Sequence, residues 1–137
     1  VASDMLIEGN GVVVACDSTY ESRTAAVESL LDAGVSAMLC AYSPDALTMI
    51  GVLHDRGVSI GEDMSLVSLD DIAAFTLMTP RIAVVSQQAE LMGRQGVDLL
   101  LCRIRSGASD EGVTHSVPTM FINRGSVKQG PSAAVAG

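Results

Sequence analysis

The sequence predicts an α/β fold, a parallel sheet flanked by helices, and three observations carry that prediction. Short apolar runs recur along the chain: "VVVAC" (12–16), "SAMLCAY" (36–42) and "SLVSL" (65–69). Stretches with apolar residues at helical spacing lie between them. Glycines close those stretches. Strands that alternate with amphipathic helices build parallel sheets, because each helix crosses one face and returns the chain in the same direction.

Residues 2–8 read as the tail of a helix stopped by Gly9-Asn10-Gly11. The β-branched run 12–16 reads as a strand buried on both faces. Asp17, Ser18 and Thr19 then offer side-chain oxygens to cap a helix over 20–33, with Ala26, Val27, Leu30 and Leu31 as its stripe and Gly34 as its stop. After the strand at 36–42, Ser43-Pro44-Asp45 starts a helix over 44–56, since proline and an acid both suit the first turn. Leu47, Ile50 and Leu53 share a face there, and Gly57 ends it. Residues 72–81 read as irregular, 82–87 ("IAVVSQ") as extended, and 89–106 as a helix carrying Leu91, Val97, Leu100, Leu101 and Ile104. "GASDEG" (107–112) is a polar turn, "HSVPTMFINRG" (115–125) holds one or two last strands, and the small-residue tail is expected to fray.

Composition bounds the function. A chain of 137 residues can bury a real core, and with two Phe, two Tyr and no Trp that core is aliphatic. The net charge of −8 excludes a grip on a phosphate backbone by this segment. Cys16, Cys40 and Cys102 are odd in number and widely spaced, which argues for buried thiols in a reducing, cytoplasmic compartment over disulfides or zinc. No apolar run approaches the roughly 20 residues of a membrane span, and no signal peptide is recognised. The opening at Val1, in what reads as the middle of a helix, suggests a fragment.

Several kinds of chemistry are disfavoured. "GVSIG" (57–61) matches the nucleophile-elbow pattern, but a helix enters it and a strand leaves, the reverse of what exposes the serine. His54 and His115 have no partners at metal-ligand spacing, and no nucleotide-binding glycine motif exists. Asp70 and Asp71 lack any partner base or nucleophile, so no catalytic role, metal or cofactor is expected. What remains is binding. In open parallel sheets ligands sit beyond the carboxyl ends of strands. Asp17 and Ser18, Tyr42 and Ser43, and Asp70 and Asp71 occupy those ends, where acids and hydroxyls can meet a polar small molecule. Helix capping is the competing role for Asp17, Ser18 and Ser43.

The motif order "DRGVSIGEDMSLVSLDD", "TPRIAVVSQQAELMGRQGVDLLLCRI" and "VPTMFINRGS" resembles the C-terminal half of LacI/GalR-family transcription regulators, from about Gly11 to Ser126. The resemblance implies a periplasmic-binding-protein-like fold of type I, with an effector between two lobes. Residues 1–81 and 115–127 would lie mainly in the C-terminal lobe. Residues 82–114 would form a hinge crossover and the terminal helix of the N-terminal lobe, and 128–137 a flexible tail. Asp70 matches the first aspartate of the family's F-D-D motif and would bind the effector, with Asp71 pointing away as a cap or into solvent. Gln87 falls on the hinge glutamine and Ser18 where an aromatic is common. Tyr42-Ser43 replaces the usual Asn-Asp, Ser68 and Gly61 replace a Gly and a Pro, and Arg23 a common Gly. Leu47, Met49 and Ile50 would contribute to a homodimer interface. The implied function is the effector-sensing and dimerisation part of a regulator whose DNA-binding helix-turn-helix lies upstream. A periplasmic sugar receptor of the same fold is the alternative.

Overall fold

The structure, a computed structural model, describes residues 5–7, 11–107 and 112–128. In chain order its elements are β1 (Met5–Ile7), β2 (Gly11–Val13), α1 (Tyr20–Asp32), β3 (Ala37–Cys40), α2 (Ser43–Asp55), β4 (Ser65–Ser68), α3 (Ala73–Leu77), β5 (Ala83–Ser86), α4 (Ala89–Ser106) and β6 (Met120–Ile122). The body is a four-stranded sheet in the order β3-β4-β5-β6. β3, β4 and β5 run parallel, and β6 returns antiparallel to β5. The mainly parallel α/β prediction holds.

The beginning of the chain departs from expectation. Residues 5–7, read as helix, are a strand paired antiparallel with β2, Met5 opposite Val13; the rest of 2–8 lies outside the described residues. The reason is legible afterwards, because Asn10-Gly11 between two apolar runs is as much a hairpin signal as a helix stop. The doubly buried strand at 12–16 is also corrected. Only 11–13 are extended in a ladder, their sole partner is β1, and Val12 and Val13 are exposed.

Residues 16–23 instead pack against the start of α2. Arg23 Nε lies 2.7 Å from Asp45 Oδ1, an ion pair outside hydrogen-bond angles, and Cys16 Sγ is 3.8 Å from Asp45 Oδ2. Burial first, and then the Asp45 carboxylate, push the Cys16 thiol up from its ordinary pKa. Burial does the same to Cys40. Both effects disfavour the thiolate, the reactive form.

The helices follow the capping chemistry. Thr19 Oγ1 accepts from Ser22 N–H at 3.2 Å, satisfying one free donor of α1. Pro44 opens α2, and Gly57, at φ +68°, follows its end. Helix α2 buries Ala46, Met49, Val52 and Leu53, a stripe at helical spacing, onto the sheet face formed by Met38, Cys40, Leu66 and Val84. Met49 was expected at a dimer surface; it is a core residue, because its position on the helix turns it inward with Leu53. Leu47 is exposed and Ile50 half-buried, so those two remain on the outside.

Residues 73–77, expected to be irregular, form α3, a short helix that drops Phe75 fully into the core. Its backbone carbonyl accepts from Ile82 N–H at 3.1 Å and guides the chain into β5. "IAVVSQ" is likewise corrected: Ile82, Ala83 and Val84 are buried, and β5 lies between β4 and β6, inside the sheet. The boundary expected at residue 82 therefore moves to the end of β5.

Ser126 explains why the last strand is followed by "RGS". It is fully buried; its hydroxyl accepts from Ala83 N–H at 2.8 Å and donates to Leu66 O at 2.6 Å, while its own carbonyl accepts from Leu66 N–H at 2.8 Å. One residue thus joins β4 to β5 where the ladder between them has not begun. Beside it, Gly61 has φ +88°, and a Cβ there would lie 2.5 Å from Gly125 O. Gly61→Ala is expected to destabilise the chain by about 2–3 kcal/mol, from left-handed strain plus a backbone clash. Urea unfolding reads this, and a loss under about 0.5 kcal/mol would show that the 57–62 loop yields at little cost.

Helix α4 has the predicted bounds and ends at Gly107, but none of its residues is buried. The sheet is similarly one-sided. Cys40, Ser68 and Val84 share the face packed by α2, while Leu39 is 66% and Phe121 55% exposed on the other. The expected turn at 107–112 and the tail at 128–137 fall largely outside the described residues.

Candidate functional site at the strand carboxyl ends

Strand register brings the expected residues to one edge. Cys40 is level with Ser68 and Ser68 with Val84. Two residues on, this places Tyr42, Asp70 and Ser86 side by side, about 4.8 Å apart from strand to strand. Tyr42 keeps an extended backbone (φ −140°, ψ 126°), so alternation continues through it and puts it on the same face as Asp70. Gln87 follows Ser86, and its Nε2 donates to Asp70 Oδ1 at 2.8 Å. Asp70 and Gln87 are thus in contact across 17 residues of sequence. Tyr42 is beside them and 54% exposed. Ser43 begins α2, where the helix has no side-chain cap bond.

Ser18 is not brought into contact with this group. It lies in the turn before α1, spanned by Asp17 Oδ1, which accepts from both Thr19 N–H and Thr19 Oγ1. The Thr19 hydroxyl is the first cause of a lowered Asp17 pKa, so the carboxylate form is favoured there. Asp17 and Ser22 line a groove of about 410 Å³ beside α1. A second cavity of about 450 Å³ lies at the opposite end of the strands, near His54, Val58 and Pro80, and shares no residue with the strand-end group.

Asp71 departs from its expectation as a cap or solvated acid. Arg124 Nη1 donates to Asp71 Oδ1 at 2.8 Å and Nη2 to Oδ2 at 2.7 Å, a two-pronged pair that is mostly shielded from solvent. Arg124 also reaches Ile82 O at 3.4 Å, so one side chain braces the turn after β4 against β5. Adjacent carboxylates repel; pairing the second with a guanidinium removes that conflict and leaves Asp70 free to face the edge. The Arg124 pair was hidden in the sequence by 53 intervening residues. Gln88 was also missed. Its backbone is left-handed (φ 51°, ψ 49°), its N–H donates to Ser86 Oγ, and its Nε2 donates to Pro118 O, linking the segments that leave β5 and approach β6. Among the described residues, no group of three His, Cys, Asp or Glu side chains is placed to hold a metal ion. No helix is long and apolar enough to cross a membrane among them either.

Comparison with known proteins agrees with this geometry. Residues 8–127 match the family described as periplasmic binding protein-like domain. A probable opine utilization operon repressor of Rhizobium rhizogenes is 32% identical over 92 residues, 67% of this chain and 46% of that protein. The HTH-type transcriptional repressor PurR of Haemophilus influenzae is 37% identical over 78 residues, 57% of this chain and 23% of its own length. Among solved structures, a transcriptional regulator CelR–cellobiose complex superposes with a TM-score of 0.69 at 34% identity, over 81% of this chain and 34% of that one. A putative LacI-family regulator from Sanguibacter keddieii gives 0.72 at 27% identity, over 84% and 45%. The chain therefore spans less than half the length of these relatives. It belongs to the periplasmic binding protein-like domain family, and within it to the kind of effector-binding domain that LacI-family transcription regulators carry.

Proposed function

We propose that this chain is the effector-sensing and dimerisation part of a cytoplasmic LacI-type transcription regulator. A helix-turn-helix elsewhere in the full-length protein would hold operator DNA, since a net charge of −8 suits no phosphate backbone. The observation that carries the reading is the Asp70–Gln87 contact at the sheet's carboxyl edge, beside Tyr42. It joins an acceptor at the end of β4 to the segment leading into α4, so a ligand that competes for Asp70 acts on the junction between them. Differential affinity for two arrangements of that junction is what an allosteric effector requires. Tyr42 and Ser43 would contact the effector, Ser18 would reach it from the turn before α1, and Leu47 and Ile50 would face a second copy. The relatives' names favour a regulator over a periplasmic receptor, and no catalytic role is assigned.

Ligand-dependent thermal melting of the full-length protein, repeated with Asp70→Ala, tests the reading. A stabilising ligand is expected to lose at least about tenfold in affinity in the variant, the value of one charge-assisted hydrogen bond. A ligand indifferent to Asp70 would move the site away from the strand ends.

A further inference from the structure

The charges at the strand-end edge are unequal. Four carboxylates gather there, Asp17, Asp45, Asp70 and Asp71, and two guanidiniums reach them. Arg23 is paired with Asp45, and Arg124 is doubly bonded to Asp71. Both cations are therefore already paired. Asp17 is bonded only within its own turn. Asp70 receives the neutral carboxamide of Gln87 on Oδ1, which orients the carboxylate and leaves its charge uncompensated. Among the described residues, no hydrogen bond reaches its Oδ2. The aromatic ring of Tyr42, in the position level with Asp70, supplies an exposed π face next to that acceptor.

We propose that the portion of the effector meeting this lobe carries an amino nitrogen, so that the ligand is an amine or amino sugar and not a neutral sugar or a sugar phosphate. The proposal rests on the strand-end edge being the effector site. A phosphate brought to this edge meets two unpaired carboxylates and no free guanidinium. A neutral hydroxyl gains one ordinary hydrogen bond. An ammonium gains a charge-assisted bond to Asp70 Oδ2 and attraction to the Tyr42 face, the two interactions these side chains offer together. Replacement of the family's usual Asn-Asp by Tyr42-Ser43 fits the same chemistry. It removes an amide and an acid suited to paired sugar hydroxyls and adds a cation-attracting ring.

The test is thermal melting and calorimetric titration of the full-length protein with D-glucosamine, D-galactosamine, putrescine and agmatine. D-glucose, D-galactose, butane-1,4-diol and D-glucose 6-phosphate serve as counterparts. At least one amine is expected to bind more tightly than its counterpart, and to weaken as salt is raised. Asp70→Asn is expected to weaken it about tenfold to a hundredfold, and Tyr42→Leu about twofold to fivefold. Melting of the unliganded variants checks that both fold, and Tyr42→Leu reads the site independently if Asp70→Asn does not. Binding confined to the hydroxyl or phosphate members, or no binding by any amine, overturns the proposal. A neutral sugar that depends on Asp70 would overturn the amine class and leave the strand-end site standing. An amine indifferent to both variants would overturn both.

Discussion

Phe75→Ala is expected to lower the unfolding free energy by about 3–5 kcal/mol, the range for deleting a buried aromatic ring. Phe75 is fully enclosed, and it is the one buried side chain of α3. With the ring gone, nothing holds that helix over β5, and the bond from Ile82 N–H to the Phe75 carbonyl weakens with it. Leu77, two residues on and 85% exposed, is the internal control. Leu77→Ala is expected to change stability by less than about 0.5 kcal/mol. Urea unfolding followed by far-UV circular dichroism reads both. Equal losses would show that Leu77 is covered in solution, and a small loss for Phe75→Ala would mean that α3 repacks.

Ser126→Ala is expected to cost about 2–4 kcal/mol, although it removes a single oxygen. Its hydroxyl bonds Ala83 N–H and Leu66 O on two different strands. Alanine leaves both buried backbone groups without that partner, and each orphaned group costs about 1–3 kcal/mol. Ser126→Cys nearly preserves volume but supplies a weaker partner, so an intermediate loss is expected. Hydrogen exchange at Ala83 adds a local readout, since its amide is expected to lose protection before the β5–β6 ladder does. A Ser126→Ala chain as stable as the parent would show that β4 and β5 hold together at that end without the hydroxyl.

Much of the fold was legible because glycine and proline punctuate it. Gly34, Gly57 and Gly107 fall within two residues of the ends of α1, α2 and α4, and Pro44 opens α2. The apolar runs ending at Cys40 and Ser68 became adjacent parallel strands, which put Tyr42 beside Asp70 as the strand-end rule required. What failed were decisions that local pattern does not make. Apolar β-branched residues at 12–14 read the same whether they enter the sheet or pair in a ribbon, and here they pair with β1. Five residues are too few to show a helical period, so α3 was missed. Met49 and Ile50 are neighbours on one helix, and only the sheet beneath decides which is core. The pairing of Asp71 with Arg124 is a tertiary fact, although "RGS" had marked the stretch that supplies Arg124.

The antiparallel pairing of β5 and β6 has a consequence for how the chain can be rebuilt. Ser86 faces Met120 across that ladder, and Gln88 closes the gap again by donating to Pro118 O. Everything between, including all of α4, leaves and re-enters through one narrow neck and adds no residue to the buried cluster. In engineering terms β5 and β6 are a hairpin with an oversized excursion at its tip. A two-residue turn of Asn-Gly type in place of 87–119 would splice them directly. The resulting miniature would keep the full core while shedding the most exposed apolar helix, a soluble chassis on which Tyr42 and Asp70 could be grafted with new partners.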